Sequence, residues 1–150
     1  MARTEFVYVT YIAAAQQRIW DALLEPRFTR EYWGHENVSD WKPGSPWEHR
    51  DVDGGTLRLV GQVVECVPPR RLVLTWADPA DVATPAAHSR VTIELEPLDT
   101  MVRLTVRHDR LGPGSDMQEG IEEGWPRVIS SLKSFLETGK ALPTWAGAAS

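Results

Sequence analysis

The chain has 150 residues, of which 42% are hydrophobic and 25% are charged, as is typical of one globular domain. Its formal charge of −5 and the lack of a basic patch argue against nucleic acid as a partner. No Lys- and Arg-rich amphipathic helix indicates a membrane surface. The single cysteine, Cys66, excludes an internal disulfide, and its apolar neighbours predict an inert buried thiol. Without a signal peptide or a membrane-spanning stretch in the sequence, we predict a cytoplasmic protein.

The first third of the chain predicts a strand, two helices and an irregular stretch. Val, Tyr, Thr and Phe over residues 4–12 favour a strand, and helical spacing of apolar residues follows over 13–24. Pro26 opens a second, short helix that Gly34 ends. Residues 34–55 are rich in turn formers, so we expect irregular structure there, apart from a short strand at 47–51 and a hairpin turn at 53–55.

The middle of the chain predicts an antiparallel sheet. Strands are expected at 56–67, 70–77, 89–97 and 100–109, with a mobile loop over 78–88. A two-residue turn at Asp99-Thr100 would pair residues whose numbers sum to 199. That register puts apolar side chains and His108 on one face, and complementary charges on the other. A slip of one residue would destroy both patterns, so the register is well determined.

The C-terminal part predicts a long amphipathic helix over residues 115–138. Seven apolar residues recur at helical spacing and form one stripe, namely Ile121, Trp125, Val128, Ile129, Leu132, Phe135 and Leu136. Gly139 is placed to end the helix. Pro126 should kink it or reset its start, because proline lacks an N–H. Gly124 lies at the edge of the stripe and leaves room there, and residues 146–150 are expected to be disordered.

Seven tryptophans are unusual in a chain of this length. A buried indole N–H needs a hydrogen-bond partner, so tryptophan is an expensive residue for filling a core. We expect Trp20 and Trp145 to be structural or incidental. The other five are expected near the space between the sheet and the long helix.

Several short strings, in order along nearly the whole chain, resemble one known family. They are Tyr11-Ile12-Ala13-Ala14, Tyr32-Trp33, Ser39-Asp40-Trp41, Pro43-Gly44-Ser45, Gly61-x-Val63, Pro68-Pro69-Arg70-Arg71-Leu72, Thr75-Trp76, Val91-Thr92, Leu104-Thr105, Gly124-Trp125 and Leu136-Glu137-Thr138-Gly139. The chain thereby resembles the Activator of Hsp90 ATPase homologue 1-like family of the START/Bet v 1-like (SRPBCC) superfamily. The resemblance implies an α+β helix-grip fold, in which a curved antiparallel sheet of six or seven strands grips the C-terminal helix. It also implies a hydrophobic cavity between them.

The expected ligand-binding residues come from the inward rows of the sheet, from the aromatic set and from the helix. They are Tyr32, Trp33, Trp41, Trp47, Trp76, Val91, Ile93, Val106, His108, Gly124, Trp125 and Val128. His108 could hydrogen-bond a ligand or act as an acid or base, or it could be a core histidine satisfied by a backbone carbonyl, Trp or Tyr. The aromatic residues could equally be ordinary packing. No motif for a metal, a phosphate or a catalytic triad is present in the sequence, so neither cofactor nor metal is expected.

The leading hypothesis is a non-enzymatic protein, a monomer or homodimer, that binds a small apolar or aromatic molecule. One alternative is an enzyme of the polyketide cyclase/aromatase kind that uses His108. Another is a module that interacts with an Hsp90-type chaperone, which would require an exposed apolar patch.

Overall fold

We describe residues 4–142 in a computed structural model. Seven strands and three α-helices follow one another in the order strand, two helices, six strands, helix. The strands are β1 (Thr4–Ile12), β2 (His35–Val38), β3 (Pro46–Asp51), β4 (Leu57–Val67), β5 (Arg71–Trp76), β6 (Ser89–Leu98) and β7 (Met101–Leu111). The helices are α1 (Gln16–Leu24), α2 (Pro26–Tyr32) and α3 (Asp116–Thr138).

All seven strands form one antiparallel sheet in the order β1-β7-β6-β5-β4-β3-β2. The first strand thus pairs with the last, and α3 lies across β1 and β7 with its apolar stripe inward. This is the helix-grip fold expected from the sequence. The core fills the space between the inward face of the sheet and the apolar faces of α1, α2 and α3.

The hairpin of β6 and β7 has the register predicted from its charge and apolar patterns. Val91 pairs with His108, Ile93 with Val106 and Leu95 with Leu104. The apolar members of these pairs are at most 5% exposed, and His108 is buried among them. The register is therefore confirmed, since a slip by one residue would have turned this row towards solvent.

Strand β2 was not predicted. Residues His35, Glu36, Asn37 and Val38 lie in the stretch expected to be irregular, but they pair with β3. Glu36 and Asn37 are both buried although both are polar. Because the strand buries polar groups, its hydropathy does not alternate, and sequence patterning gives no signal for it.

The start of α1 was also placed wrongly. The helix begins at Gln16, whereas helical spacing suggested Ala13. The backbone N–H of Ala13 instead donates to Glu137 Oε2 of α3 at 2.8 Å. This contact joins the turn between β1 and α1 to α3, so tertiary structure overrides the local alanine preference for helix.

Helix α3 is continuous across Pro126, so the proline does not reset its start. Ser115 caps the helix, because its Oγ accepts the N–H of Gln118 at 3.1 Å, and Gly139 ends it with φ at 83°. The proline removes the hydrogen bond to the carbonyl of Glu122, which lies on the exposed side of the helix. Water can satisfy that carbonyl, which explains why the helix tolerates the proline.

Three smaller expectations have mixed outcomes. Residues 78–88 contain two single turns of 3₁₀ helix, Pro79–Asp81 and Pro85–Ala87, and the Nε2 of His88 bonds the carbonyl of Asp81. Cys66 is a free thiol, but it is half-buried rather than buried. Trp20 is buried in the core as expected, whereas Trp145 and residues 146–150 lie outside the described part of the chain.

A contact between β3, β4 and β5 limits what residue 61 can be. Gly61 pairs with Trp47, whose indole Nε1 crosses it to donate to the carbonyl of Thr75 at 2.7 Å. A Cβ at position 61 would overlap both that carbonyl oxygen and the indole nitrogen. Gly61 is therefore needed for close approach of the three strands.

We expect Gly61→Ala to lower the free energy of unfolding by about 3 kcal/mol, because it overpacks the sheet and displaces the Trp47 hydrogen bond. Gly120→Ala in α3 is the matched control. Its Cβ would meet nothing within 4 Å, so it should raise stability by roughly 0.5–1 kcal/mol. Urea unfolding followed by tryptophan emission measures both variants. Equal effects of the two substitutions would contradict the close approach at Gly61.

Candidate functional site: an aromatic cavity beside helix α3

A cavity of about 350 Å³ lies between the sheet and the first half of α3. The sheet contributes His49 from β3, Leu59 from β4 and Trp76 at the end of β5. The remaining lining residues are Trp33, Asp78, Asp116, Met117, Gly120, Ile121, Gly124, Trp125 and Val128. Its volume lies at the lower end of the range for small-molecule sites, so it suits a small ligand.

Three tryptophans and one histidine form the aromatic wall of the cavity. The ring centroids of Trp33 and Trp125 are 5.6 Å apart, and those of Trp76 and Trp125 are 5.5 Å apart. His49 packs against Trp33 with a centroid distance of 4.6 Å. These separations are typical of tilted aromatic contacts, which hold each ring in place through its neighbours.

Helix α3 opens space in this wall because of its glycines. Gly120 and Gly124 both line the cavity, and a Cβ on either would meet nothing within 4 Å. Glycine in a helix interior costs roughly 0.5–1 kcal/mol relative to alanine. The room that the sequence predicted beside Gly124 is therefore present, and it is continuous with the cavity.

A chain of hydrogen bonds centred on His108 lies beside the cavity. Trp125 Nε1 donates to His108 Nδ1 at 3.1 Å, so Nδ1 carries no proton. His108 Nε2 must then donate to Ser89 Oγ, which lies 2.7 Å away. The Ser89 hydroxyl donates in turn to the carbonyl of Trp76 at 3.2 Å. Every ring nitrogen of this fully buried histidine is thus used within the protein.

A second histidine, His49, has one nitrogen committed and one free. The amide Nδ2 of Asn37 donates to the carbonyl of Leu23 at 3.3 Å, so its Oδ1 faces His49. His49 Nδ1 lies 2.7 Å from that oxygen and must donate to it. Nε2 is then an acceptor. It has no hydrogen-bond partner among residues 4–142, and the His49 side chain lines the cavity.

Burial keeps both histidines neutral. Desolvation lowers the pKa of His49 to about 3, and the neighbouring His35 lowers it further than Asp51 raises it. Desolvation also lowers the pKa of His108 to about 3. Neither ring carries charge near pH 7, so both act through hydrogen bonds alone.

The charged residues of the lining are both acidic. Asp78 and Asp116 are exposed and lie near the solvent side of the cavity. Asp78 accepts the backbone N–H of Ala80, and Asp116 lies in the first turn of α3, where the helix dipole favours a carboxylate. Within the described part of the chain, no lysine or arginine lines the cavity. The cavity therefore disfavours anions.

The residues expected from the sequence to bind a ligand fall into two groups. Those in the cavity lining are Trp33, Trp76, Gly124, Trp125 and Val128. The remaining residues do not line the cavity. Those buried in the packed core are Tyr32, Trp47, Val91, Ile93, Val106 and His108, and Trp41 is half-buried at the edge of the core. Trp47 still contacts the wall, because its ring centroid is 5.1 Å from that of Trp76.

Sequence reasoning missed His49, although a signal for it existed. Strand alternation puts His49 on the same face as Trp47, two residues earlier. Met117 and Gly120 were missed as well, and they extend the stripe of α3 by one turn towards its start. Asp78 and Asp116 follow from no pattern, since only the fold brings the end of β5 near the start of α3.

Comparison with known proteins now gives the family. The model of the family described as Activator of Hsp90 ATPase homolog 1-like protein matches residues 13–137. The chain belongs to this family. Family and fold together place it in the START/Bet v 1-like superfamily that its sequence resembled.

Solved structures share the fold at low identity. One is the solution structure of the Aha1 dimer from Colwellia psychrerythraea, with 19% identity, a TM-score of 0.76 and coverage of 92% of this chain and 99% of that one. ChR145 from Cytophaga hutchinsonii has 26% identity and a TM-score of 0.74, covering 93% and 97% of the two chains. DynU16, from the dynemicin biosynthetic locus, has 22% identity and a TM-score of 0.71, covering 91% of this chain and 48% of that one. A search of curated proteins found no match.

The described residues, 4–142, bear on two further properties, metal binding and membrane crossing. No group of three or more His, Cys, Asp or Glu side chains is arranged there to hold a metal ion. No helix in that range combines the length and the apolar character needed to cross a membrane.

The two neutral histidines make stability depend on pH. Their folded pKa values lie near 3, whereas an unfolded histidine titrates near pH 6.5. The unfolded chain therefore binds protons that the folded chain does not, and stability falls as the pH drops below about 6.5. We expect a loss approaching roughly 3 kcal/mol per pH unit from the two groups, before the carboxylates begin to titrate.

Urea unfolding at pH 7.5, 6.5, 5.5 and 5.0 measures this slope. His108→Gln should lower stability at pH 7.5, because it breaks the hydrogen bonds to Trp125 and Ser89. It should also reduce the slope below pH 6 by about 1.4 kcal/mol per pH unit, the share of one proton. An unchanged slope would show that His108 is not neutral and buried in solution.

Proposed function

We propose that this protein binds a small apolar or aromatic molecule in the cavity beside α3. The observation that carries the proposal is an aromatic wall of Trp33, Trp76 and Trp125 around about 350 Å³ of space. Ligand sites are lined mainly by apolar and aromatic side chains with a few polar groups, and this lining has that composition. Two helix glycines that face the space help to keep it open.

Burial of ligand surface would drive binding. At about 25 cal/mol per Å² of apolar area, a bicyclic aromatic molecule gains enough free energy for measurable affinity after the entropic cost of association. The aromatic rings would also contribute stacking contacts. The occurrence of DynU16 in a biosynthetic locus is consistent with small-molecule binding in this fold.

The cyclase alternative remains a prediction without a supporting contact. It depends on His108 as an acid or base, and both nitrogens of that residue are engaged by Trp125 and Ser89. His108 is also absent from the cavity lining. We therefore assign no reaction to the protein.

The chaperone-interaction alternative also remains a prediction. One surface bears on it: the outward side chains Val7, Val9 and Tyr11 of edge strand β1 are each more than 40% exposed. The same row would serve a homodimer, and the relative from Colwellia psychrerythraea is a dimer. We propose a cytoplasmic monomer or homodimer, which sedimentation equilibrium and fractionation of cells would test.

Filling the cavity from the helix should weaken binding strongly without unfolding the protein. Gly124→Leu projects a side chain into open space and replaces a poor helix former by a good one. We expect it to retain or raise stability and to weaken binding of a bicyclic aromatic probe, such as 2-naphthol, at least tenfold by calorimetry. Glu123→Leu, one residue earlier on the exposed side, is the matched control and should bind as the wild type does. Undiminished binding to Gly124→Leu would place the ligand elsewhere.

A further inference from the structure

The cavity contains one buried acceptor that the protein itself leaves unused. This acceptor is Nε2 of His49. The His49 side chain is 3% exposed, and its ring contacts Trp33, Trp47 and Trp76. Its Nδ1–H is committed to Asn37, and Asn37 is itself fixed by the carbonyl of Leu23. The tautomer is thereby set by two hydrogen bonds, and it leaves the Nε2 lone pair free.

Three of the surrounding indole donors are used or closed off, those of Trp47, Trp76 and Trp125. Trp47 donates to Thr75 and Trp125 donates to His108. The Trp76 N–H is sealed from water and has no partner among residues 4–142, and its ring meets His108 edge-on at 78°. None of these three indole N–H groups can therefore donate a hydrogen bond to His49 Nε2 or to an acceptor atom of a ligand.

The charged residues of the lining also favour a ligand that donates a hydrogen bond over one that accepts it. Asp78 and Asp116 contribute carboxylate oxygens, which accept hydrogen bonds, and no lining residue among residues 4–142 carries a positive charge. A ligand carboxylate would be repelled by both aspartates and would face the His49 lone pair. A carbonyl or ether oxygen would meet the same lone pair without a proton to share. A hydroxyl or N–H donor would instead satisfy it.

We propose that His49 Nε2 anchors the ligand, and that the cavity selects an apolar or aromatic molecule bearing a hydrogen-bond donor such as a phenolic hydroxyl. This inference rests on the proposed function, because it assigns the polar end of the molecule whose apolar body fills the cavity. Asn37 acts as a positioning residue that holds the ring in the accepting tautomer. Leaving the acceptor unpaired under an ether or a carboxylate would cost binding free energy.

A series of naphthalene probes tests the selection in the wild-type protein by calorimetry at pH 7.5. 2-Naphthol supplies a donor, 2-methoxynaphthalene blocks it with a methyl group, and 2-naphthoate replaces it with a negative charge. We expect 2-naphthol to bind roughly fivefold more tightly than the methoxy compound, the value of one neutral hydrogen bond, and the naphthoate to bind most weakly. In ¹⁵N spectra of the histidine rings, the His49 Nε2 resonance should shift with 2-naphthol and much less with the methoxy compound.

A histidine substitution tests the anchor directly. His49→Phe keeps a ring and removes the acceptor, so it should bring 2-naphthol to the affinity of 2-methoxynaphthalene. His35→Phe is the matched control, because His35 lies 4.8 Å from His49 by ring centroid but outside the cavity lining. It should retain the fivefold preference. Should His49→Phe fail to fold, the wild-type probe series and the Nε2 resonance still decide the question.

The outcomes separate the two proposals. If neither 2-naphthol nor 2-methoxynaphthalene binds, the proposed function fails. If both bind equally and the Nε2 resonance does not respond to the hydroxyl, the cavity binds ligands but His49 does not anchor them. Tighter binding of the naphthoate would overturn the inference as well, because it would require a positive group that the lining does not have.

Discussion

The hydrogen bond from Trp125 to His108 is the constraint on which the rest of the site depends. An indole N–H buried between a helix and a sheet must find an acceptor, and here a neutral histidine provides it. The histidine then passes its own N–H to Ser89, and Ser89 donates to the backbone of β5. Three strands and α3 are thereby joined through side chains at one level of the fold. Trp125 is fixed in the wall, so the cavity beside it has a defined shape.

The two buried histidines show how position decides chemistry. Both are neutral because burial lowers their pKa, and both belong to the inward face of the sheet. His108 is saturated from both sides and has only a structural role in the contacts seen. His49 is held from one side by Asn37, and its second nitrogen has no partner in the part of the chain that the structure describes. The same residue type thus supplies a fixed support at one position and a recognition group at the other.

The sequence predicted most of the fold because its strongest signals are periodic. The charge and apolar rows of β6 and β7 allow one register only, and the stripe of α3 is long enough to exclude other readings. Trp33, Trp76 and Trp125, which were expected to bind a ligand, line the cavity, but His49 was not chosen. Strand β2 escaped prediction since it buries polar residues, and one of these, Asn37, is the residue that sets the tautomer of His49. The unpredicted strand β2 therefore contains Asn37, the residue that positions the unpredicted His49, and β2 was missed because it buries polar residues.

Keeping the cavity open requires local stability to be given up on both of its sides. On the helix side, Gly120 and Gly124 weaken α3 where alanine would strengthen it. On the sheet side, desolvation of His49 is compensated by only one hydrogen bond to the protein, because its Nε2 has no protein partner among residues 4–142. Selection for stability alone would fill the helix positions and replace the histidine by an apolar ring. Both departures from best packing face the same space, and a ligand with an apolar body and a donor group would compensate both at once.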